Sequence, residues 1–192
     1  KAYIAYRDNK AGKVFMGVAH RLDRPVSGVC IFAKTSKALE RLNEMFRTSQ
    51  IHKTYWALCE SHPPKDEGEL DNYIWKNEKQ NKSYICKENE RVGAKLARLK
   101  YKVIGEGQKY CLIEVQLLTG RHHQIRCQLA NIGCTIKGGA SRSNPDAGIC
   151  LHARYISFIH PVRKEKMEII APILSSWKKI ADDVLATRKD IR

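Results

Sequence analysis

The stretch AKLARLKYKVIGEGQKYCLIEVQLL, residues 94–118, decides the fold class. Leu96, Arg98, Lys100 and Lys102 alternate with Ala97, Leu99, Tyr101 and Val103, the period-two pattern of a half-buried strand with one basic face. GEGQ at 105–108 reads as a turn, and YCLIEVQLL at 110–118 returns as a second strand. Two such runs joined by a short Gly-rich link form an antiparallel hairpin. Working outward, KTYWALCE at 53–60 alternates as a strand, and Pro63, Pro64 and Gly68 make 61–69 a loop. VCIFA at 29–33 reads as a short buried strand. Residues 149–159 and 167–171 read as two more strands around a turn at 160–165. Helical spacing covers about 36–48, with Ser36 as its N-cap, then 122–132 stopped by Gly133, and 173–186. Residues 137–148 read as a polar loop. Helices are interspersed without a regular βαβ rhythm. The expected class is therefore α+β, with a mixed, mainly antiparallel central sheet and flanking helices.

A chain of 192 residues has one core as its default, so residues 1–192 are read as a single domain. Apolar residues are 43% of the chain, too many for disorder, and no run approaches the ~20 apolar residues of a membrane span. The seven cysteines form no C-x-x-C and sit mostly in apolar segments. They read as reduced thiols of a cytoplasmic protein. Lys plus Arg number 35 against 20 Asp plus Glu, a net charge of +15. A surplus of this size points to a polyanionic partner, nucleic acid before a membrane surface. A solubilising surface charge is the bland alternative.

Three segments carry candidate chemistry. In HRLDRPVSG at 20–28, Asp23 lies between two arginines, cations that favour an ionised carboxylate able to act as nucleophile or base. A surface Asp–Arg pair is the competing explanation. In LTGRHHQIR at 118–126, a strand ends and a helix begins, so exposed amides and Arg121, His122, His123, Gln124 and Arg126 could hold an anion. The paired histidines invite a metal, but no third ligand stands at a familiar spacing, and no metal is expected. In HKTYW at 52–56, Lys53 and Tyr55 share one strand face, a cation beside an aromatic as in RNA-binding strands. An ordinary half-buried strand explains the same pattern. P-loop, G-x-G-x-x-G, G-x-S-x-G and H-E-x-x-H signatures are absent. The spacing of His20, Asp23 and Ser27 does not suggest a Ser-His-Asp triad.

Taken together, these segments resemble the RluA-type RNA pseudouridine synthases. HRLDRPVSG resembles that family's HRLDxxTSG loop, HKTYWALCE its Lys-x-Tyr strand, and LLTGRHHQIRCQLANIG its L-x-TGRxHQIR segment. LHARYISFIHPVRKEKMEIIAP resembles its closing strands. The resemblance implies isomerisation of uridine to pseudouridine in ribosomal or transfer RNA, with no cofactor. It implies Asp23 as the catalytic aspartate, Arg21 as the residue that replaces the flipped base, and Tyr55 as the aromatic packed on the uracil. It also implies Arg126 as the partner of the carboxylate and Leu118 as the pocket floor. Lys53 and Arg121 are then expected on phosphates. Val26 stands where the family has Thr, and Gln128 where it often has His. After Gly138 the family's Gly-Asp-x-x-Tyr-Gly is not found; the expectation is that about four residues of a flexible loop are missing there rather than deleted. The family's opening strand is likewise expected before Lys1. A catalytically inactive RNA-binding module on the same scaffold is the alternative function, and a monomer is the default state.

Overall fold

A computed structural model describes residues 1–139 and 148–187. The loop near Gly138 whose sequence departs from the family pattern continues into residues 140–147, outside the described residues. The elements in chain order are α1 (Ala2–Arg7), β1 (Gly17–Val18), β2 (Ser27–Gly28), β3 (Phe32–Ala33), α2 (Ser36–Arg47), β4 (His52–Cys59) and β5 (Glu67–Asn77). Then follow β6 (Lys82–Cys86), β7 (Lys95–Glu106), β8 (Cys111–Leu117), α3 (Gln124–Asn131), β9 (Leu151–Ile159), β10 (Lys166–Ile170) and α4 (Ser175–Leu185). Seven strands run in the order β10-β9-β4-β8-β7-β5-β6, every neighbouring pair antiparallel, and β2 joins β9 in parallel as the eighth. The sheet is thus mixed and mainly antiparallel, and the class is α+β.

The hairpin expected from residues 94–118 is the centre of this sheet. Tyr101 pairs with Val115 and Val103 with Ile113, and β8 then pairs with β4 along seven residues. On one face, Ala57, Leu99, Val103, Ile113 and Val115 are fully buried beneath Ile125 and Leu129 of α3. On the other, Leu58, Ile104 and Leu112 are covered by Trp177, Ala181 and Val184 of α4. Burial on both faces explains why apolar residues crowd these strands; truncating one such side chain to Ala costs about 2–5 kcal/mol. A third cluster lies under α2, where Leu42 and Met45 meet Ala33, Ile156 and Phe158.

Several local expectations are corrected. VCIFA is not a continuous buried strand: only Phe32–Ala33 pair, with Gly17–Val18. The amide of Val29 instead donates to the Ala153 carbonyl and that of Ile31 to the His20 ring, so no ladder can run through 29–31. The cap of α2 is Thr35, whose side chain accepts from the Ala38 amide, and Ser36 is already helical. The 61–69 loop ends at Asp66, because Glu67 opens an eleven-residue strand. The hairpin β5–β6 is hidden in sequence by its polar outer face. Asp71, Glu69 and Glu67 on β5 stand opposite Arg98, Lys100 and Lys102 on β7 and form ion pairs of 3.3, 3.5 and 4.0 Å. No described helix is long and apolar enough to cross a membrane. All seven cysteines are free thiols, four of them buried.

Candidate active site

Asp23 is placed by a pinned loop. His20 is the first pin: its Nε2 accepts from the Ile31 amide at 3.0 Å, and its ring packs on Phe46 with centroids 4.9 Å apart. Burial, helped by nearby Lys53, pulls its pKa down to about 4, so the ring is neutral and able to accept that bond. The Asp23 carbonyl then accepts from the Val26 amide at 2.9 Å, closing a tight turn over Arg24 and Pro25. Ser27 and Gly28 add to β9, and Ser27 Oγ bonds His152 Nδ1 at 2.8 Å. Ser27 is therefore engaged away from His20 and Asp23, as expected of a serine outside any triad. Gly28 has φ +115°, and a Cβ there would lie 2.2 Å from the Ala153 carbonyl oxygen. Only glycine fits this approach. Leu22 and Val26 pack on the main core, which anchors the turn from below.

The facing wall is the junction from β8 to α3. Gln124, 3% exposed, organises it: Oε1 accepts from the Thr119 hydroxyl and the Arg121 amide, and Nε2 donates to the Arg98 carbonyl. These bonds satisfy an amide that the start of α3 would leave unpaired. His123 caps the helix in the left-handed region, φ +53°. Its ring stacks on His122 with centroids 3.7 Å apart. His123 Nε2 lies 3.7 Å from Asp23 Oδ2. Burial holds the His123 pKa down to about 4 even though Asp23 pulls the other way. The imidazole that meets Asp23 at neutral pH is thus uncharged.

From β4, Tyr55 is buried beneath the cleft and Lys53 lies on the same side, its ammonium 5.5 Å from the Phe46 ring centroid. A register shift between Thr54 and Tyr55 interrupts the β4–β9 ladder beside them, the kind of irregularity that re-aims a side chain. Trp56 faces the opposite side, under the Arg154 guanidinium. Burial first, and then the Asp23 carboxylate, push the Tyr55 hydroxyl up to about 12. Tyr55 is therefore a protonated phenol close enough to feel the charge of Asp23. Burial lowers the pKa of Lys53.

These walls enclose a cleft of about 800 Å3. Asp23, Tyr55, Arg126, Arg21, Leu118, Lys53 and Arg121 all line it, although the sequence scatters them from position 21 to position 126. One expected contact is different. Arg126 does not pair with Asp23: it donates to the Gly139 carbonyl at 2.9 Å and reaches His123 Nε2 at 3.5 Å. His123 stands between the two, held there by its left-handed backbone. His123 and Gln124, expected only as anion donors, instead contact Asp23 and brace the wall; a polar pair at a strand-to-helix junction is the sequence signal for both. Gln128, in the place of a histidine, is fully buried on the inner face of α3. Its amide group donates to the Leu70 and Ala97 carbonyls and to Asn72, tying α3 to β5 and β7. Among the described residues no cluster of three His, Cys, Asp or Glu could hold a metal.

The same motifs are recognised by comparison. The family model for RNA pseudouridylate synthase matches residues 1–131. The chain belongs to that family. Among curated relatives, the dual-specificity RNA pseudouridine synthase RluA of Pasteurella multocida is 32% identical over 167 residues, 82% of this chain and 74% of the relative, which places the chain among RluA-type pseudouridine synthases. An uncharacterised RNA pseudouridine synthase of Chloroflexus aurantiacus is also 32% identical over 167 residues, 84% of this chain. The chain spans 51% of that relative's length. The solved structure of human RNA pseudouridylate synthase domain containing 4 shares the fold, with a TM-score of 0.73 at 23% identity over 88% of this chain and 76% of that one.

Proposed function

We propose that this pseudouridine synthase domain isomerises uridine to pseudouridine in ribosomal or transfer RNA, and that Asp23 is its catalytic carboxylate. The observation that carries the reading is the convergence of Asp23 and Tyr55 in one cleft of about 800 Å3 bordered by Arg21, Lys53, Arg121 and Arg126. The volume suits a single nucleotide taken out of its stack, as chemistry on a base requires. The border supplies the positive charge that a phosphate backbone needs.

The reaction is an internal exchange. The C1′–N1 bond breaks, the uracil turns, C1′–C5 forms, a proton leaves C5 and one is gained at N1. Nothing is oxidised or reduced. Asp23 reacts at the sugar, either by an attack at C1′ that displaces N1 or by taking the C2′ proton to give a glycal and returning it to C2′ as C1′–C5 forms; both routes need an ionised, positioned carboxylate. With its pKa pushed up to about 12, Tyr55 enters as a phenol. It packs on the uracil and donates a hydrogen bond. To take the C5 proton it must first give up its own. Leu118 floors the pocket, and Arg21, on the rim, takes the place vacated by the base. Arg126 acts on Asp23 through His123: it helps hold the imidazole, which burial keeps neutral, beside the carboxylate. Lys53 and Arg121 meet phosphates.

RNA carrying tritium at C5 of uridine tests the reading, because isomerisation releases that label to water. The expected result is release by the wild-type protein, undiminished in chelator. RNA binding without release would make the domain an inactive binding module; release that chelator stops would restore a metal.

A further inference from the structure

Of the paired histidines ahead of α3, the chemistry at Asp23 uses one. His123 lines the cleft and lies 3.7 Å from Asp23, whereas His122 faces a neighbouring concavity that Ser83 also lines. Successive side chains on a helix point about 100° apart and cannot stack. Here the left-handed backbone at His123, φ +53°, turns the two rings face to face, with centroids 3.7 Å apart and planes 28° from parallel. His122 is itself held from the hairpin β5–β6. Ser83 Oγ bonds its Nδ1 at 2.8 Å, and the Ser83 carbonyl accepts from the Cys127 thiol at 3.1 Å, so β6 grips the start of α3 through both bonds. The result is a continuous line of contacts from β6 through Ser83, His122 and His123 to the carboxylate. The Asp23 side chain is 38% exposed. A side chain that open keeps its rotamer freedom unless a fixed neighbour limits it.

We propose that His122, locked by Ser83, is a positioning residue: by stacking on His123 it fixes the imidazole against which Asp23 is aimed at the sugar. The inference rests on reading Asp23 as the catalytic carboxylate. The outer torsion of a histidine is broad and two-fold, so an unsupported His123 ring would swing its Nε2 away from Asp23. A flat ring laid on it removes that freedom. Misplacing a reacting group by about 1 Å costs up to about 100-fold in rate. The stack does not touch the substrate, so its loss should appear in turnover and not in RNA affinity. It also covers one face of His123, and that cover is part of the burial that holds the ring's pKa down to about 4. The charged and titratable groups that face His123 are Asp23, Arg126, His122 and Lys76.

Single-turnover tritium release, RNA affinity and the His123 pKa, read from imidazole nitrogen shifts by NMR, are measured on each variant. His122→Ala should slow release about tenfold and leave RNA affinity within about twofold. Its His123 pKa should rise from about 4 toward the ordinary 6.5. His122→Phe, which keeps a flat ring without a ring nitrogen, should restore release to within about threefold of wild type and keep that pKa low. His122→Gln, polar without a ring, should behave as the Ala variant. In a His123→Ala background, His122→Ala should add less than about twofold, because the clamp works only through His123. Should His122→Ala fail to fold, His122→Gln and His122→Phe carry the test. Undiminished release or an unmoved His123 pKa in His122→Ala, a Phe variant as slow as the Ala variant, or losses that multiply in the double variant each overturns the proposal. So does a His122→Ala protein that loses RNA affinity as much as turnover, which would make His122 an RNA contact. If no protein releases tritium but the His123 pKa moves as expected, the clamp on His123 stands and the isomerase reading falls.

Discussion

Two groups of cations in this domain look alike in sequence and differ in structure. Arg98, Lys100 and Lys102 on β7 each face a carboxylate on β5, in a ladder of exposed pairs. Arg21, Lys53, Arg121 and Arg126 line the cleft, and among the described residues none of them has a carboxylate within ion-pair distance. Lys53 sits by the Phe46 ring, Arg121 on the Leu96 carbonyl and Arg126 on the Gly139 carbonyl. The ladder is neutral in sum and solvated, so it adds little field. The cleft leaves its positive charge open to an anion. A net charge of +15 therefore says less about RNA than where the charge stays uncompensated.

The contrast can be broken by experiment. Apart from loss of Asp23 itself, the largest effect is expected inside the cleft, at its chemistry: Tyr55→Phe should lower single-turnover tritium release by about 100-fold or more, within the range of acid–base contributions, with an unchanged unfolding midpoint. Undiminished turnover would remove the Tyr55 hydroxyl from the reaction. Next, Arg21→Lys and Arg126→Lys should reduce turnover more than affinity, because each retains charge and loses the planar fork. Equal losses in both would mean that these residues act as bulk charge. Smaller still is the difference between the groups as phosphate contacts. Lys53→Gln with Arg121→Gln should flatten the salt dependence of RNA binding by about two counterions, whereas Lys100→Gln with Lys102→Gln should leave nearly all of it. A ladder variant that weakened RNA as much as the cleft variant would erase the distinction.

The smallest effect is on stability. His20 and His123 are held near pKa 4, below their ordinary 6.5. The unfolded chain therefore takes up protons first. Stability should be full above about pH 6.5, fall as pH drops toward 4, and lose nothing more from these two groups below that. Urea midpoints between pH 7.5 and 4 measure this, and His20→Gln should reduce the slope. A flat profile over that range would mean that the rings are not buried neutral.

The sheet's centre was legible because Leu99, Tyr101, Val103, Ile113 and Val115 alternate with polar residues over a long enough run. The hairpin β5–β6 was not. Its outward carboxylates make sense only opposite the β7 cations, and a pairing between strands cannot be seen in either strand alone. The segment 29–33 misled for a related reason: its residues are strand-like, but its amides are claimed by Ala153 and His20. At the site, the candidate residues were legible as motif pieces and all line the cleft. The relation between Asp23 and Arg126 was not, because it depends on the left-handed turn at His123, which puts an imidazole where a direct ion pair was expected.

The central claim is that Asp23 carries the chemistry while the uncompensated cations carry the binding. Tritium release and RNA affinity measured together on the wild type and Asp23→Asn test it most directly. The predicted result is loss of release to background with affinity unchanged within a few-fold. An Asp23→Asn protein that still forms pseudouridine at a rate near that of the wild type would contradict it.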